Sequence, residues 1–249
     1  MTTLTEKTTI VVGASRGLGR GIASAFATAG APVVALSRTP ADLPATDGGP
    51  GTIRSEVADA GDPIVVADLV DRYEPSTIIV VAGATPHMRP LQQHTWETFS
   101  VHWDTDVRIA FHWLREALLL PLRPGSRVVV FSSGAAVNGS PISGGYAGAK
   151  ATQRFITRYA QEEADRAGLD ITFTAVLPGF APSTGVGRPA TRAYAARVGQ
   201  DLATFLEASR PELTPQVAGS AILELVQTDV AALARTYGLY GTGLKVLPE

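Results

Sequence analysis

Short apolar runs alternate with amphipathic stretches along this chain of 249 residues. The runs are rich in Val and Ile, and their near-continuous apolar character is typical of strands buried on both faces of a parallel sheet. Five such runs are seen, and a last strand is expected near Gly243–Val246. The runs cover residues 9–12, 33–36, 78–81, 128–131 and 171–177.

Helical spacing of apolar residues lies between these runs. After the first run, apolar residues recur at intervals of three and four up to Gly30, a C-terminal cap. A second helix is indicated over residues 155–164 with an end near Gly168, and residues 95–120 hold one long helix or two shorter ones. Strands that alternate with helices predict βαβ units around one sheet, with right-handed crossovers.

Two stretches interrupt this alternation. Residues 40–51 (PADLPATDGGPG) hold too much Pro and Gly for a crossover helix, so a loop or single turn is expected. Residues 181–210 are polar and rich in small residues, then weakly helical, and are predicted to form a substrate lid. Because no linker separates two cores, residues 1–249 are predicted to form a single α/β domain.

Composition narrows the classes of protein. Apolar residues make up 45% and charged residues 18%, which excludes a mainly disordered chain. A formal net charge of −2 argues against nucleic acid or an anionic membrane as the main partner. The chain has no Cys, which removes disulfides and thiol chemistry, and its four His show no metal-ligand spacing, so no metal is expected. Without a signal peptide or a membrane-length apolar run, a soluble cytoplasmic protein is predicted.

Three glycines follow the first apolar run, in the segment Gly13-Ala14-Ser15-Arg16-Gly17-Leu18-Gly19. Glycine lets a backbone turn tightly and approach a pyrophosphate, and the next helix offers free N–H groups to the anion. The spacing differs from the more common G-x-G-x-x-G, and an ordinary strand–helix turn is the alternative. The position between a first strand and a first helix nevertheless predicts a dinucleotide site.

A Tyr and a Lys lie four residues apart in Tyr146-Ala147-Gly148-Ala149-Lys150. On a helix these two side chains share a face, and a nearby ammonium favours the phenolate. The Tyr is then able to give a proton to a carbonyl oxygen or to take one from an alcohol. A buried strand ends in Ser132-Ser133, thirteen residues before the Tyr, at the edge where open α/β sheets bind ligands.

With these motifs the chain resembles the classical branch of the short-chain dehydrogenase/reductase family, over about residues 8–183. The resemblance implies a three-layer αβα Rossmann-type domain with a seven-stranded, mainly parallel sheet. It also implies catalytic roles. Ser133 hydrogen-bonds the substrate carbonyl, Tyr146 delivers the proton, and Lys150 tunes Tyr146 and holds the nicotinamide ribose.

The end of the second strand bears on which nicotinamide cofactor is bound. An NAD site usually has a carboxylate there, but residues 33–41 contain none, and Arg38 is present instead. The resemblance implies that Arg38 and Arg16 bind the 2′-phosphate of NADPH, with Ser37 as a further donor, although either Arg alone also fits a solvated surface.

Further cofactor contacts follow from the same resemblance. The Glu56-Val57 pair is expected against adenine, Pro178-Gly179 against the nicotinamide, and Ser183 or Thr184 against its carboxamide. The full predicted set of cofactor-binding residues is Gly13, Ser15, Arg16, Gly17, Leu18, Gly19, Ser37, Arg38, Glu56, Val57, Ala82, Gly83, Tyr146, Lys150, Pro178, Gly179, Ser183 and Thr184.

Two positions depart from the family's pattern. The family usually has Asn-Asn-Ala-Gly after the fourth strand, whereas this chain has Val80-Val81-Ala82-Gly83 and lacks both amides. The family's Asn in a catalytic proton relay falls at or near Asp106, which accepts hydrogen bonds but does not donate them when ionised. The charge of Asp106 is expected to oppose ionisation of Tyr146, which predicts a shifted pH optimum rather than loss of activity.

The predicted function is therefore NADPH-dependent reduction of a carbonyl, or the reverse oxidation with NADP⁺, on a small apolar or cyclic substrate. A reductase of imines or other C=X bonds and a non-catalytic NADPH sensor are the alternatives. In the family that the chain resembles, enoyl reductases usually have the Tyr and Lys farther apart, so the resemblance argues against enoyl reduction. The intact Ser133, Tyr146 and Lys150 argue against a sensor. The resemblance also implies a homotetramer or homodimer.

Overall fold

A computed structural model describes residues 4–40, 43, 51–207 and 210–248. Within these residues, eight strands form one sheet. They are β1 (Thr9–Val12), β2 (Val33–Ser37), β3 (Ile53–Val57), β4 (Thr77–Val80), β5 (Ser126–Phe131), β6 (Ile171–Pro178), β7 (Thr236–Tyr240) and β8 (Gly243–Val246).

The strand order is β3-β2-β1-β4-β5-β6-β7-β8, and each neighbouring pair is parallel except β7 with β8. The predicted mainly parallel α/β sheet is confirmed, and so is the last strand at Gly243–Val246. The described strands number eight rather than seven. The sequence pattern did not single out β7, because the segment TYGLY contains a glycine and lacks a β-branched run.

Helices cover both faces of the sheet. They are α1 (Gly17–Thr28), α2 (Pro63–Tyr73), α3 (Trp96–His102), α4 (Arg108–Leu119), α5 (Ala135–Asn138), α6 (Tyr146–Ala167), α7 (Gly187–Arg197), α8 (Leu202–Glu207) and α9 (Pro215–Gln227).

Alternate residues of the strands feed two separate cores. Ile10 and Val12 of β1 pack with α2, α4 and α6 on one face, whereas Val11 packs with α1 and α9 on the other. A strand whose neighbouring side chains are both buried must be apolar throughout, which explains the continuous runs in the sequence. The result is three layers, as expected for the predicted Rossmann-type domain.

Residues 95–120 resolve into two helices joined by a π turn at Trp103–Val107, rather than one continuous α-helix. Thr95 caps the first of them, because its hydroxyl accepts from the N–H of Thr98. The expected end of α6 is also seen, since Gly168 adopts φ +64° as the C-terminal cap. The loop predicted for residues 40–51 falls mostly outside the described residues.

The segment predicted as a lid, residues 181–210, contains α7 and α8 in its described part and crosses the carboxyl ends of the strands. None of the helices in the described part of the chain combines the length and apolar character that a bilayer-spanning helix needs.

Candidate active site

A cleft of about 880 Å³ opens at the carboxyl ends of the parallel strands. β1 lies between β2 and β4, so the chain crosses over in opposite directions on the two sides of β1. Open α/β sheets bind ligands outside the strand ends at such a point. We call the part of the cleft around the turn at residues 13–19 the phosphate end, and the part around Ser133 and Tyr146 the catalytic end.

The glycines of the phosphate end are required by close backbone contacts. Gly13 adopts φ +95°, and a Cβ there would lie 2.7 Å from the main-chain nitrogen of Ala82. A Cβ on Gly19 would lie 2.2 Å from the carbonyl oxygen of Gly13, and Gly17 adopts φ +56°. Only glycine allows this approach of turn, helix and β4 loop without strain.

The first turn of α1 is free to bind an anion. Its N-cap residue, Arg16, makes no side-chain capping hydrogen bond, and the first turn contains no acidic residue. Among the residues that the structure describes, no capping side chain therefore competes with a phosphate for the main-chain N–H groups there. Ser15 and Leu18 also line this part of the cleft.

Two arginines lie beside this helix terminus. Arg16 and Arg38 are exposed, line the cleft and make no ion pair within the described residues. Ser37 is nearly buried beside them, and its hydroxyl donates to the carbonyl oxygen of Thr39 at 2.6 Å. A hydroxyl has one hydrogen, so Ser37 does not donate to a phosphate while this bond is present.

The pair predicted to contact adenine, Glu56 and Val57, does not reach the cleft. Both residues belong to β3 itself. The Glu56 carboxylate accepts from the hydroxyl of Tyr73 and pairs with Arg72. The residues that line the cleft at this point are the next three in the chain, Ala58, Asp59 and Ala60. The strand ends later than spacing alone indicated, and this displaces the pair.

The loop that follows β4, which we call the β4 loop, lines the cleft through Ala82 and Gly83. A Cβ on Gly83 would lie 2.6 Å from Oδ2 of Asp106, so glycine makes room for this carboxylate. The N–H of Ala84 donates to Oδ1 of Asp106 at 2.8 Å. Asp106 thus holds this loop in a chain that lacks the two amides usual in the family's motif.

Ser133, Tyr146 and Lys150 meet at the catalytic end. Ser133 follows β5, and its Oγ accepts from the N–H of Ala135 at 3.2 Å, which leaves its own hydrogen free to donate. Tyr146 begins α6 and Lys150 lies one turn further on, with Nζ 5.5 Å from the centroid of the Tyr146 ring. Ser132 donates to the carbonyl oxygen of Lys150 at 2.7 Å and so fixes α6 to β5.

Lys150 is buried in an ion pair with Asp106. Its Nζ lies 2.9 Å from Oδ2 of Asp106, and their side chains are 6% and 1% exposed. Nζ also donates to Oε1 of Gln153 at 2.8 Å and to the carbonyl oxygen of Phe131 at 3.4 Å. The long bond to Phe131 is the one most easily exchanged for a ribose hydroxyl.

The ion pair changes the expectation for Asp106. Burial raises the pKa of Asp106, but the ammonium of Lys150 and the hydrogen bonds from His102 and Ala84 outweigh it, so the pKa lies below its ordinary value. Burial lowers the pKa of Lys150, but the Asp106 carboxylate more than compensates and raises it. Both groups are therefore charged at neutral pH, and the negative charge of Asp106 is paired with the ammonium of Lys150.

His102 was not singled out by the sequence, although it joins this cluster. It is 1% exposed, its Nδ1 lies 3.3 Å from Oδ1 of Asp106, and its ring packs edge-on against Tyr146 with centroids 5.0 Å apart. Gln153, also buried, donates to the carbonyl oxygen of Asp106 at 2.9 Å. The i, i+4 spacing of His102 and Asp106 was the one signal available in the sequence.

The segment after β6 contributes one of the two predicted hydroxyls. Pro178, Gly179 and Thr184 line the cleft, whereas Ser183 is exposed and its N–H donates to Glu212. The hydroxyl of Thr184 donates to the carbonyl oxygen of Ala181 and accepts from the N–H of Gly187. It has one lone pair left, which suits an amide N–H as partner.

Aromatic side chains form the outer wall of the catalytic end. The ring of Phe180 packs edge-on against Tyr194 and against Phe205, with centroids 5.6 Å apart in each pair. The hydroxyl of Tyr194 bonds to that of Ser140, which joins α7 to the loop after α5. Phe180 directly precedes the predicted lid segment, and Tyr194 and Phe205 belong to it, so the lid contributes aromatic side chains to the cleft that Tyr146 also lines.

These features fit a nicotinamide dinucleotide. The glycine cradle and uncapped helix suit a pyrophosphate, the exposed arginines suit a further phosphate, and Thr184 suits a carboxamide. The cleft volume lies in the range typical of cofactor pockets, about 300–1,000 Å³.

Known proteins similar to this chain show its family and its fold. The family model described as short chain dehydrogenase matches residues 7–195. The hydroxynaphthalene reductase-like protein Arp2 of Metarhizium robertsii is 31% identical over 192 residues, which covers 71% of this chain and 68% of that protein. The 3-oxoacyl-[acyl-carrier-protein] reductase of a Synechocystis strain is 28% identical over 72% of this chain and 76% of that protein. The crystal structure of levodione reductase has a TM-score of 0.80 at 21% identity, covering 95% of this chain and 97% of that one.

Proposed function

The chain belongs to the short-chain dehydrogenase family, and from this premise we propose that it is an NADPH-dependent reductase of apolar cyclic ketones, also able to run the reverse oxidation. As a member of that family it is an oxidoreductase that uses a nicotinamide cofactor and acts on a small molecule. The observation that carries the proposal is one cleft with Ser133, Tyr146 and Lys150 at one end and Arg16 and Arg38 at the other.

The preference for NADPH rests on charge. Arg16 and Arg38 flank the α1 terminus with no ion pair in the described part of the chain, and a 2′-phosphate would give them charge-assisted hydrogen bonds. NADH lacks that phosphate and gains nothing from either guanidinium. Asp59 lines the cleft, whereas Glu56 does not, so we assign to Asp59 the adenine contact expected of Glu56.

The chemistry follows from the protein's own side chains. Ser133 donates its hydroxyl hydrogen to the carbonyl oxygen, and Tyr146 gives that oxygen its proton. Lys150 supports the charge that forms on Tyr146 and binds the nicotinamide ribose, with Asp106 and Gln153 fixing its ammonium. When bound, the reduced nicotinamide supplies the hydride to the carbonyl carbon.

The substrate class rests on the aromatic wall. Phe180 packs edge-on against Tyr194 and against Phe205, and all three line the cleft. Aromatic side chains bind apolar rings by stacking or by edge-on contact. The name of the relative from Metarhizium robertsii, a hydroxynaphthalene reductase-like protein, supports a fused-ring substrate. The substrate lid proposed for residues 181–210 would close over that ring.

The test is cofactor oxidation against a panel of bicyclic aromatic ketones, monocyclic ketones, quinones, acyclic ketones and cyclic imines. We expect turnover of cyclic ketones with NADPH, weaker turnover with NADH, and loss of activity in Tyr146→Phe. Turnover of imines alone would contradict carbonyl reduction. Tight NADPH binding with no turnover on the whole panel would favour a sensor.

We also propose a homo-oligomer. Phe111 of α4 and the Phe155 and Tyr159 pair of α6 are more than half exposed or close to it, which is unusual for three aromatic side chains on neighbouring helices. Light scattering after size exclusion would give a dimer or tetramer, whereas a monomer at micromolar concentration would contradict this proposal.

A further inference from the structure

The cluster behind Tyr146 contains a buried histidine that the proposed mechanism does not use. His102 ends α3, and Asp106 lies in the π turn that follows. Both side chains are about 1% exposed. Burying a histidine beside a carboxylate is costly unless their hydrogen bond is made, so the arrangement needs a reason.

The chemistry of the carboxylate decides which tautomer His102 adopts. Ionised Asp106 has only acceptors, so Nδ1 of His102 must carry the hydrogen of the 3.3 Å contact. Nε2 of His102 has no hydrogen-bond partner among the described residues. A neutral ring with Nδ1–H leaves only a lone pair at that position, whereas a charged ring would leave an N–H donor unsatisfied.

Two hydrogen-bond donors and one ammonium hold the Asp106 carboxylate. Oδ1 accepts from His102 and from the N–H of Ala84, and Oδ2 faces Lys150. If His102 were removed, Oδ1 would keep only the main-chain contact, and the carboxylate would be freer to turn away from Lys150. The titratable groups in contact with His102 are Asp106 from its own segment and Tyr146 from α6, and Lys150 of α6 lies on the other oxygen of Asp106.

We propose that His102 is a positioning residue of the reaction, which holds Asp106 so that its second oxygen stays on the ammonium of Lys150. This proposal rests on the proposed function, because it assigns the role through Lys150 and Tyr146. The ring of His102 also packs against Tyr146. His102 therefore positions both Tyr146, the proton donor, and Asp106, the carboxylate that pairs with the ammonium of Lys150.

Two variants separate the hydrogen bond from packing. His102→Asn keeps an N–H near the position of Nδ1, and His102→Leu removes it while filling a similar volume. His112→Leu, on α4, is the matched control, because its side chain is partly exposed and lies outside the cleft. Thermal unfolding of each variant shows whether it folds.

The first measurement is independent of turnover. With ¹⁵N-labelled histidine, the four ring signals of the chain are resolved, and His102 is the signal missing from His102→Asn. We expect the Nδ1–H tautomer, with and without NADPH. An Nε2–H tautomer would overturn the proposal, even if His102→Leu does not fold.

The second measurement is the rate and its pH profile. We expect His102→Leu to lower kcat about 10–100-fold, as for a displaced catalytic group, with KM for the ketone little changed. When the Asp106 carboxylate is no longer held on Lys150, it neutralises less of the ammonium charge, and the ammonium stabilises the Tyr146 phenolate more strongly. The midpoint of the pH profile for alcohol oxidation should therefore move to lower pH. His102→Asn should restore most of kcat and the wild-type midpoint.

Two results would overturn the role in catalysis. One is a His102→Leu enzyme with wild-type kcat and pH profile, and the other is a His102→Asn enzyme as impaired as His102→Leu, which would indicate packing alone. A wild-type protein that turns over no carbonyl would contradict the proposed function instead. The tautomer would then still decide whether His102 holds Asp106.

Discussion

The two ends of the cleft hold charge in different ways. At the phosphate end, Arg16 and Arg38 are exposed and make no ion pair within the described residues. At the catalytic end, Lys150 and Asp106 are buried against each other, and His102 is buried with them. Exposed charges are screened by salt and act nearly independently, whereas buried partners depend on one another. The phosphate end should therefore tolerate substitution without loss of stability, and the catalytic end should not.

The largest effect is expected from breaking the buried pair. Lys150→Met leaves Asp106 as an uncompensated buried charge, which should lower the free energy of unfolding by about 3–5 kcal/mol. Adding Asp106→Asn removes that charge and should recover most of the loss. Urea unfolding of the single and double variants measures both changes. A single variant as stable as the wild type would contradict the coupling described for the catalytic end.

A smaller effect, confined to binding, is expected at the phosphate end. Arg38→Ser removes a charged donor worth about 1.5–3 kcal/mol, so the Kd for NADPH should rise about 10–100-fold while that for NADH stays the same. The free energy of unfolding should change by less than about 0.5 kcal/mol. Fluorescence titration at two salt concentrations measures the affinities. Arg20→Ser, exposed on α1 outside the cleft, is the control, and an equal loss there would remove the assignment to the 2′-phosphate.

Acid should weaken the buried Asp106–Lys150 pair of the catalytic end. The pKa of Asp106 is lowered from its ordinary 3.8, so its contribution to stability is present above 3.8 and is lost as pH falls through the lower folded value. The pKa of Lys150 is raised from 10.5, so its contribution is present below 10.5 and is lost as pH rises through the higher folded value. In the wild type, titration of Asp106 changes the free energy of unfolding by at most about 1.4 kcal/mol per pH unit. The Asp106→Asn variant lacks this contribution. Urea unfolding at pH 7 and below pH 3.8 should show the gap between wild type and Asp106→Asn narrowing in acid. A constant gap would mean that the pKa of Asp106 is the same in the folded and the unfolded protein, which would contradict the ion pair with Lys150.

The smallest effect is expected away from both ends. Thr214 caps α9 by accepting from the N–H of Val217 at 3.2 Å, so Thr214→Ala should cost about 1 kcal/mol. NADPH affinity and kcat should not change. Thr228→Ala, at the other end of α9, removes only a bond to the carbonyl oxygen of Glu224 and should cost less. Thermal unfolding compares the two, and equal losses would mean that the cap adds nothing special.

Residue type predicts much of this molecule where one physical requirement governs a position. Strands buried on both faces must be apolar, so β1, β2, β4, β5 and β6 were evident as apolar runs. The glycines at 13 and 19 have no alternative at their backbone contacts. Tyr146 and Lys150 share a helix face by spacing alone.

Other features depend on where elements end and on contacts between distant segments. The Glu56-Val57 pair was expected after the third strand, but spacing does not reveal that β3 continues through Val57. The role of Asp106 depends on Lys150, which comes from another helix. From the sequence alone the Asp106 charge was expected to oppose ionisation of Tyr146, whereas in the structure it forms an ion pair with Lys150. Ser183 and Thr184 are neighbours in sequence, and only the turn around Ala181 decides which of them faces the cleft.

The π turn at Trp103–Val107 also matters for comparing this chain with others. A π turn is an α-helix that has gained one residue, and it shifts everything after it along the helix. An alignment that treats residues 96–119 as one regular helix therefore slips by one position within the turn and assigns a different residue to the buried site beside Lys150. Homologues that lack the extra residue should show a single gap here, and their residue facing the lysine is then identified by structure rather than by counting.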